Sequence, residues 1–265
     1  MWGLDPKIIT FIGITFIFAM TTLGSAMVFF FKNAMSDMTK RIFLGFAAGV
    51  MIAASIWGLL VPAINQAEDL GMMGWVPAAI GFAIGGGFML LLDVILPHLH
   101  IGSNKPEGIR SSANRTTMLV FAVMLHNIPE GLAVGLAFGV ALATESTVAL
   151  GAAMGLAIGI GIQNFPEGAA ISLPLKQENV STSKSFLLGT LSGAIEPVFA
   201  IIGILLAGVS VVAMPWLLAF AAGAMIFVVV EELIPEAQLG SHSNLGTIAV
   251  MIGFLLMMIL DIALG

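Results

Sequence analysis

The chain contains no cysteine. It can therefore hold neither a disulfide framework nor a thiolate metal site, and any metal must be bound through nitrogen, oxygen or thioether ligands. Charge is almost as scarce: 9% of the 265 residues are Asp, Glu, Lys or Arg, against roughly a quarter in a soluble domain. Long polar connections are missing too. The longest, residues 98–116 (HLHIGSNKPEGIRSSANRT), is too short to fold alone, so function must lie within the apolar segments. An HExxH signature and a Ser/His pair on a nucleophile elbow are both absent. What is present is apolar: 59% hydrophobic residues and a mean hydropathy of +1.08 identify a membrane protein, read as one transmembrane domain over residues 1–265.

A bilayer core takes about 20 apolar residues per helix. Runs of that length lie at roughly 8–31, 42–64, 75–97, 117–142, 148–172, 185–208, 213–235 and 246–264, which predicts an all-α protein of eight transmembrane helices with short connections. The run at 8–31 exceeds the 7–15-residue core of a signal peptide and lacks a small-x-small cleavage site, so it is read as a retained helix. Basic residues collect on the cytoplasmic side. Lys32, Lys40 and Arg41, then Lys105, Arg110 and Arg115, then Lys176 and Lys184 all fall on one side, with only Lys7 opposite. Both termini are accordingly expected on the outer side of a cell membrane, the inner membrane of a bacterium. Trp2, Trp75 and Trp216 fall near the outer interface, as an aromatic belt would.

The sequence repeats itself in reverse orientation. FAAGVMI at 46–52 in the second run returns as FAAGAMI at 220–226 in the seventh, and HNIPEG at 126–131 in the fourth returns as QNFPEG at 163–168 in the fifth. By the order of spans, the members of each pair run in opposite directions. This predicts an inverted repeat, helices 1–3 and 6–8 around a central helix 4/5 pair. Such repeats build transporters whose binding site lies near the midplane.

The net charge of −6 has its counterpart in six acids placed within the apolar runs: Asp93, Glu130, Glu167, Glu196, Glu231 and Glu232. Each ionised residue at mid-bilayer costs at least about 2.5–3.5 kcal/mol, and the same reading puts no Lys or Arg beside them. Protonation, access to water or a bound cation could each answer this; the cation also explains the neighbouring ligands. Prolines accompany every one of these acids: Pro97, Pro129, Pro166, Pro197 and Pro235. A proline within a helix frees the carbonyl four residues earlier, and in lipid such backbone is tolerated only where it is buried in protein or lines a cavity.

On helix 4, His126 and Glu130 share a face at i, i+4, with Asn127 beside them; on helix 5, Gln163, Asn164 and Glu167 repeat the arrangement. Two antiparallel helices can close these into a cage. Imidazole and carboxylate together suit divalent transition ions such as Zn²⁺, Fe²⁺ and Mn²⁺, and neutral amides weaken binding enough for an ion to be released. Glycines at 131, 135 and 139, at 151, 155 and 159, and at 189 and 193 suit close contact of these helices.

HNIPEG followed by QNFPEG, in eight short-looped helices with both ends outside, resembles the ZIP (Zrt/Irt-like) family of divalent metal transporters, and in particular a bacterial GufA-like member. The resemblance implies a metal centre with room for two ions, bridged by Glu130 and Glu167. It assigns His126, Gln163 and a helix 2 methionine, Met51, to one ion, and Asn127, Asn164 and Glu196 to the other. It also implies an exit route past Asp93, His98, Glu231 and Glu232, a homodimer in the lipid bilayer, and movement of helices 1, 4, 5 and 6 against a frame of 2, 3, 7 and 8. The chain departs from many relatives in carrying Gln163 where they have His, and in lacking a long His-rich cluster in 98–116.

The expected function is therefore metal transport and not enzyme activity: Zn²⁺ or another divalent ion, Cd²⁺, Fe²⁺ or Mn²⁺, is the substrate, moved into the cytoplasm by alternating access. No nucleic-acid partner is expected. Two alternatives compete. An intramembrane zinc hydrolase would favour a His-rich site with an open position, whereas His126 is the one histidine placed within a span. A proton pathway without metal would not require paired Asn-x-Pro-Glu motifs.

Overall fold

The computed structural model describes residues 3–31, 35–97, 108, 115–177, 180–238 and 244–264. Eight helices within them are long and apolar enough to cross a bilayer: α1 (Pro6–Phe30), α2 (Asp37–Asp69), α3 (Trp75–Ile95), α4 (Arg115–Thr144), α5 (Thr147–Gln177), α6 (Thr182–Ala207), α7 (Val211–Gln238) and α8 (Leu245–Leu264). The chain is a multi-pass membrane protein, and among the described residues there is no strand. Helix starts follow local chemistry. Asp5 caps α1 by accepting from the Lys7 N–H at 2.8 Å, and the Ser36 hydroxyl caps α2 by accepting from the Thr39 N–H at 3.1 Å.

The spans run further than the apolar runs predicted, because charged first and last turns remain helical beyond the apolar core. Lys40 and Arg41, expected in a loop, lie in the opening turns of α2, and Glu236 lies in the last turn of α7. Asp261 lies within α8. The count of six acids was therefore too small: Asp261 lies within the eighth apolar run itself, and the longer helices also take in Asp37, Glu68, Asp69 and Glu236.

The inverted repeat is visible in three dimensions. Each of α2 and α7 widens into a π-helical stretch, Ala54–Leu60 and Val229–Leu233, directly after or close behind its FAAG motif. In both, the next N–H reaches five residues back, Val61 to the Ile56 carbonyl and Ile234 to Val229. Each stretch ends just before a proline, Pro62 or Pro235, which has no N–H to continue an ordinary α-helical ladder.

Packing repeats with the same symmetry. Helix α1 packs chiefly on α5 and α6 on α4, while α2 packs on α8 and α7 on α3. Glycines allow the close approach in each pair. A Cβ on Gly168 would strike the Thr21 carbonyl, and one on Gly131 the backbone of Glu196. On the other side, Gly49 meets the Val250 carbonyl and Gly223 the Phe82 carbonyl. The glycines thus do not press α4 against α5, as their spacing suggested. Gly131, Gly135 and Gly139 face α6, Gly151, Gly155 and Gly159 face α8, and Gly189 and Gly193 face α1. Two groups of four helices result, α1/α4/α5/α6 and α2/α3/α7/α8, joined along a seam that includes the α5–α8 glycine contact.

Candidate metal centre

The seam encloses a cavity of about 50 Å³, room for roughly three to five water-sized centres. Its polar lining comes from both groups of helices. His126 and Glu130 project from α4, Gln163 and Glu167 from α5, and Glu232 and Glu236 from α7, with Lys40 and Met51 of α2 and, just before that helix, Met35. Pro129 and Pro166 stand inside α4 and α5 without ending either helix. The i, i+4 spacing then puts His126 beside Glu130 and Gln163 beside Glu167 on the faces turned to the cavity.

Within this lining, Gln163 Nε2 donates to Glu130 Oε1 at 2.5 Å, and His126 Nε2 lies 2.5 Å from Glu232 Oε2. Three buried oxygens have no hydrogen-bond partner: Glu130 Oε2, Gln163 Oε1 and Glu167 Oε1. Buried acceptors without donors are costly, and here they belong to residues that share one cavity with an imidazole and a thioether. Oxygen, imidazole nitrogen and thioether sulfur form a donor set that a divalent transition ion accepts. Among the described residues, no three His, Asp or Glu side chains come together as a ready-made metal-binding group.

Asn127, Asn164 and Glu196 form a separate, closed cluster. None of them lines the cavity among its described residues. Glu196 is fully buried and accepts from Thr21 Oγ1 at 3.0 Å on one oxygen and from Asn164 Nδ2 at 2.7 Å on the other. Asn127 Nδ2 donates to the Ser192 carbonyl at 2.9 Å. Only the two amide oxygens, Asn127 Oδ1 and Asn164 Oδ1, are left without partners. Thr21 and Glu196 are equivalent in the inverted repeat, since each supplies the backbone against which a PEG-motif glycine packs. Their hydrogen bond therefore ties the two repeats together.

The residues expected along an exit route separate. Glu232 lines the cavity, whereas Glu231 is exposed, because adjacent residues on a helical turn point in different directions. Asp93, on α3, is half-buried and is not among the described lining residues. His98 lies outside the described residues.

Sequence reasoning passed over Thr21, Ser192, Lys40, Glu236 and Asp261. Thr21 carried little signal, because a threonine in a membrane helix ordinarily satisfies its hydroxyl on the carbonyl four residues back, as Thr21 also does with Ile17 at 3.4 Å. Lys40 and Glu236 sit at span ends, where charge is expected to be solvated. Asp261 was detectable: it lies within the eighth apolar run, its Oδ1 is buried without a hydrogen-bond partner, and it is far from the PEG motifs in sequence.

The family model for the ZIP zinc transporter matches residues 100–261. The chain is 36% identical over 335 aligned positions to the zinc transporter ZIP11 of Xenopus tropicalis, covering 99% of each chain. It is 38% identical to the zinc transporter ZIPB of Bordetella bronchiseptica, covering 94% of this chain and 79% of that one. It is also 35% identical to the zinc transporter GufA of Myxococcus xanthus, covering 84% of this chain and 86% of the relative.

Proposed function

Because this chain belongs to the ZIP family of zinc transporters, we propose that it carries Zn²⁺ across the membrane into the cytoplasm through the cavity between its two four-helix groups. Its relatives are transporters, and with them the hydrolase alternative falls away. The observation that carries the proposal is the cavity itself, where Met51, His126, Glu130, Gln163, Glu167 and Glu232 converge from four helices and three buried oxygens lack partners.

A hydrated ion entering the cavity would exchange water for these ligands one at a time. Glu130 would release the Gln163 amide, and His126 would turn from Glu232 to the ion. Neutral amide and thioether donors keep the binding weak enough to reverse. Glu130 and Glu167 supply the negative charge that lowers the cost of bringing a dication to the midplane. A second ion between Glu196, Asn164 and Asn127 would have to displace the Thr21 hydroxyl and turn Asn164. The closed cluster would thus hold a second ion only once its hydrogen bonds open. Alternating access would shift α1, α4, α5 and α6 against α2, α3, α7 and α8 along the seam, where each packing group is already internally tight.

Both termini would lie outside a cell or inner membrane, by the distribution of basic residues. Helices α3 and α8 are the spans least buried within the chain, and their apolar faces would meet lipid or a second copy in a homodimer. Asp93, Glu231 and His98 would line the inner approach. Purified protein in proteoliposomes with an internal fluorescent reporter, challenged with Zn²⁺, Cd²⁺, Fe²⁺ or Mn²⁺, tests the function. Uptake that disappears with Glu130→Ala supports the proposal and ranks the ions. Zinc uptake by Glu130→Ala at the wild-type rate refutes the assignment of the site.

A further inference from the structure

A lysine lines the cation cavity. Lys40, in the opening turns of α2, shares that lining with Glu236 in the last turn of α7, and Lys40 Nζ lies 3.4 Å from Glu236 Oε2. Lys40 is the only Lys or Arg among the described lining residues. Exposure rises across the lining, from Glu130 and Gln163 at 1% each, through the His126, Glu232 and Glu236 side chains at 12%, 11% and 13%, to the Lys40 side chain at 24%. The ion pair therefore stands between the buried ligands and the surface. Glu232 and Glu236 lie one turn apart on α7, so their carboxylates follow one another along the same wall of the cavity.

A lysine in a cation route opposes the cargo unless its charge serves another purpose. Its ammonium is a compact point charge on a flexible stem, with donors only and no capacity to bind metal while protonated. Desolvation offsets most of the attraction in an ion pair as buried as this one, and solvation screens one that is more exposed, so in either case little net stability results and holding α2 to α7 is a weak reason to place a positive charge here. Tethering, by contrast, gives Lys40 a high effective concentration at Glu236.

On the transport reading above, we propose that Glu236 is the last metal-binding carboxylate before the surface and that Lys40 is its built-in competitor. The ammonium occupies Glu236 between transport events, a departing dication displaces it, and its return to the carboxylate expels the ion. No covalent step is involved. The dication moves from Glu232 to Glu236 as Lys40 swings toward water, and the pair re-forms when the ion leaves. Lys40 is in this sense a positioning residue that sets how tightly Glu236 holds metal.

The test is zinc uptake into proteoliposomes, with half-saturating concentration and maximal rate measured separately per folded transporter. Lys40→Met keeps the length of the side chain and removes its charge. It should lower both the half-saturating concentration and the maximal rate by about two- to fivefold, the range a partly exposed ion pair can supply, because metal then lingers on an uncontested carboxylate. Glu236→Gln should lower the maximal rate without lowering the half-saturating concentration. Lys40→Met combined with Glu236→Gln should lose the tightening seen with Lys40→Met alone, and Lys40→Arg should restore the wild-type pattern. If Lys40→Met and Glu236→Gln change only thermal stability or the yield of folded protein, with both kinetic constants unmoved, the pair is a structural contact and the proposal is overturned. Wild-type protein that carries no zinc at all would instead overturn the transport reading, and the competitor with it.

Discussion

The two copies of the PEG motif contribute to two neighbouring clusters that behave in opposite ways. In the cavity, Glu130, Gln163 and Glu167 keep buried oxygens without partners and face residues from α2 and α7 across the seam. One residue along in each motif, Asn127 and Asn164 lie outside that lining: Asn164 and Thr21 donate to Glu196, and Asn127 donates separately to the Ser192 carbonyl, all within α1, α4, α5 and α6, with only the two amide oxygens unpartnered. The open cluster spans the two helix groups and the closed one lies within a single group. On the proposed transport cycle, the ligands that release the ion would lie where the two groups part, and the bonded set would stay within one group.

Removing both open carboxylates should break this comparison most sharply. Glu130→Ala with Glu167→Ala should reduce zinc uptake in proteoliposomes by at least about a hundredfold while the protein still elutes as a folded species, because the variant removes two buried oxygens without donors at the loss of one hydrogen bond, from Gln163. Adjacent residues on α7 come next. Glu232→Gln should lower uptake by about tenfold through lost contact with His126 and the ion, and Glu231→Gln by less than about twofold, since Glu231 is exposed. Equal losses in the same uptake assay would show that the π-helical turn does not select between them.

Smaller effects should appear in the closed cluster, and as stability more than as flux. Gly131→Ala drives a Cβ into the backbone of Glu196, and overpacking of this kind costs about 1–3 kcal/mol, to be read as a lower unfolding midpoint in detergent. Thr21→Val removes the hydroxyl donor from one oxygen of a buried carboxylate and should cost about 1–2 kcal/mol in the same measurement, with uptake per folded molecule within about threefold of wild type. If Thr21→Val instead abolishes uptake at an unchanged midpoint, the second position is needed in every transport event as much as the cavity is, and the contrast between the two clusters fails.

Much of the fold is legible from the chain, because each span is defined along its own length. The apolar runs at 75–97 and 246–264 match α3 and α8 closely, while 42–64 fell short of α2 because Asp37, Lys40 and Arg41 are charged yet remain in the helix. The two FAAG motifs identify α2 and α7 as repeat partners before any coordinates are seen, but the π-helical stretch behind each is not legible, since its backbone pattern depends on a downstream proline and on packing. At the centre, His126, Glu130, Gln163 and Glu167 are found by i, i+4 spacing alone. Met51 was named only by family resemblance, since 17 methionines offer no local reason to choose one, yet it does line the cavity.

The sequence by itself determined the eight spans, the inverted repeat and the polar residues carried by the central helices, because hydropathy and helical phase are properties of neighbours along the chain. Only the tertiary structure decided which of those residues share a cavity. It separated Glu232 from Glu231, joined Thr21 to Glu196 across 175 residues, and brought Lys40 from a span end into the lining of the cavity. The physical reason is that rotation and depth of one helix against another are set by where small residues let backbones touch, as Gly168 does at Thr21 and Gly131 at Glu196. Those contacts are made between segments far apart in the chain.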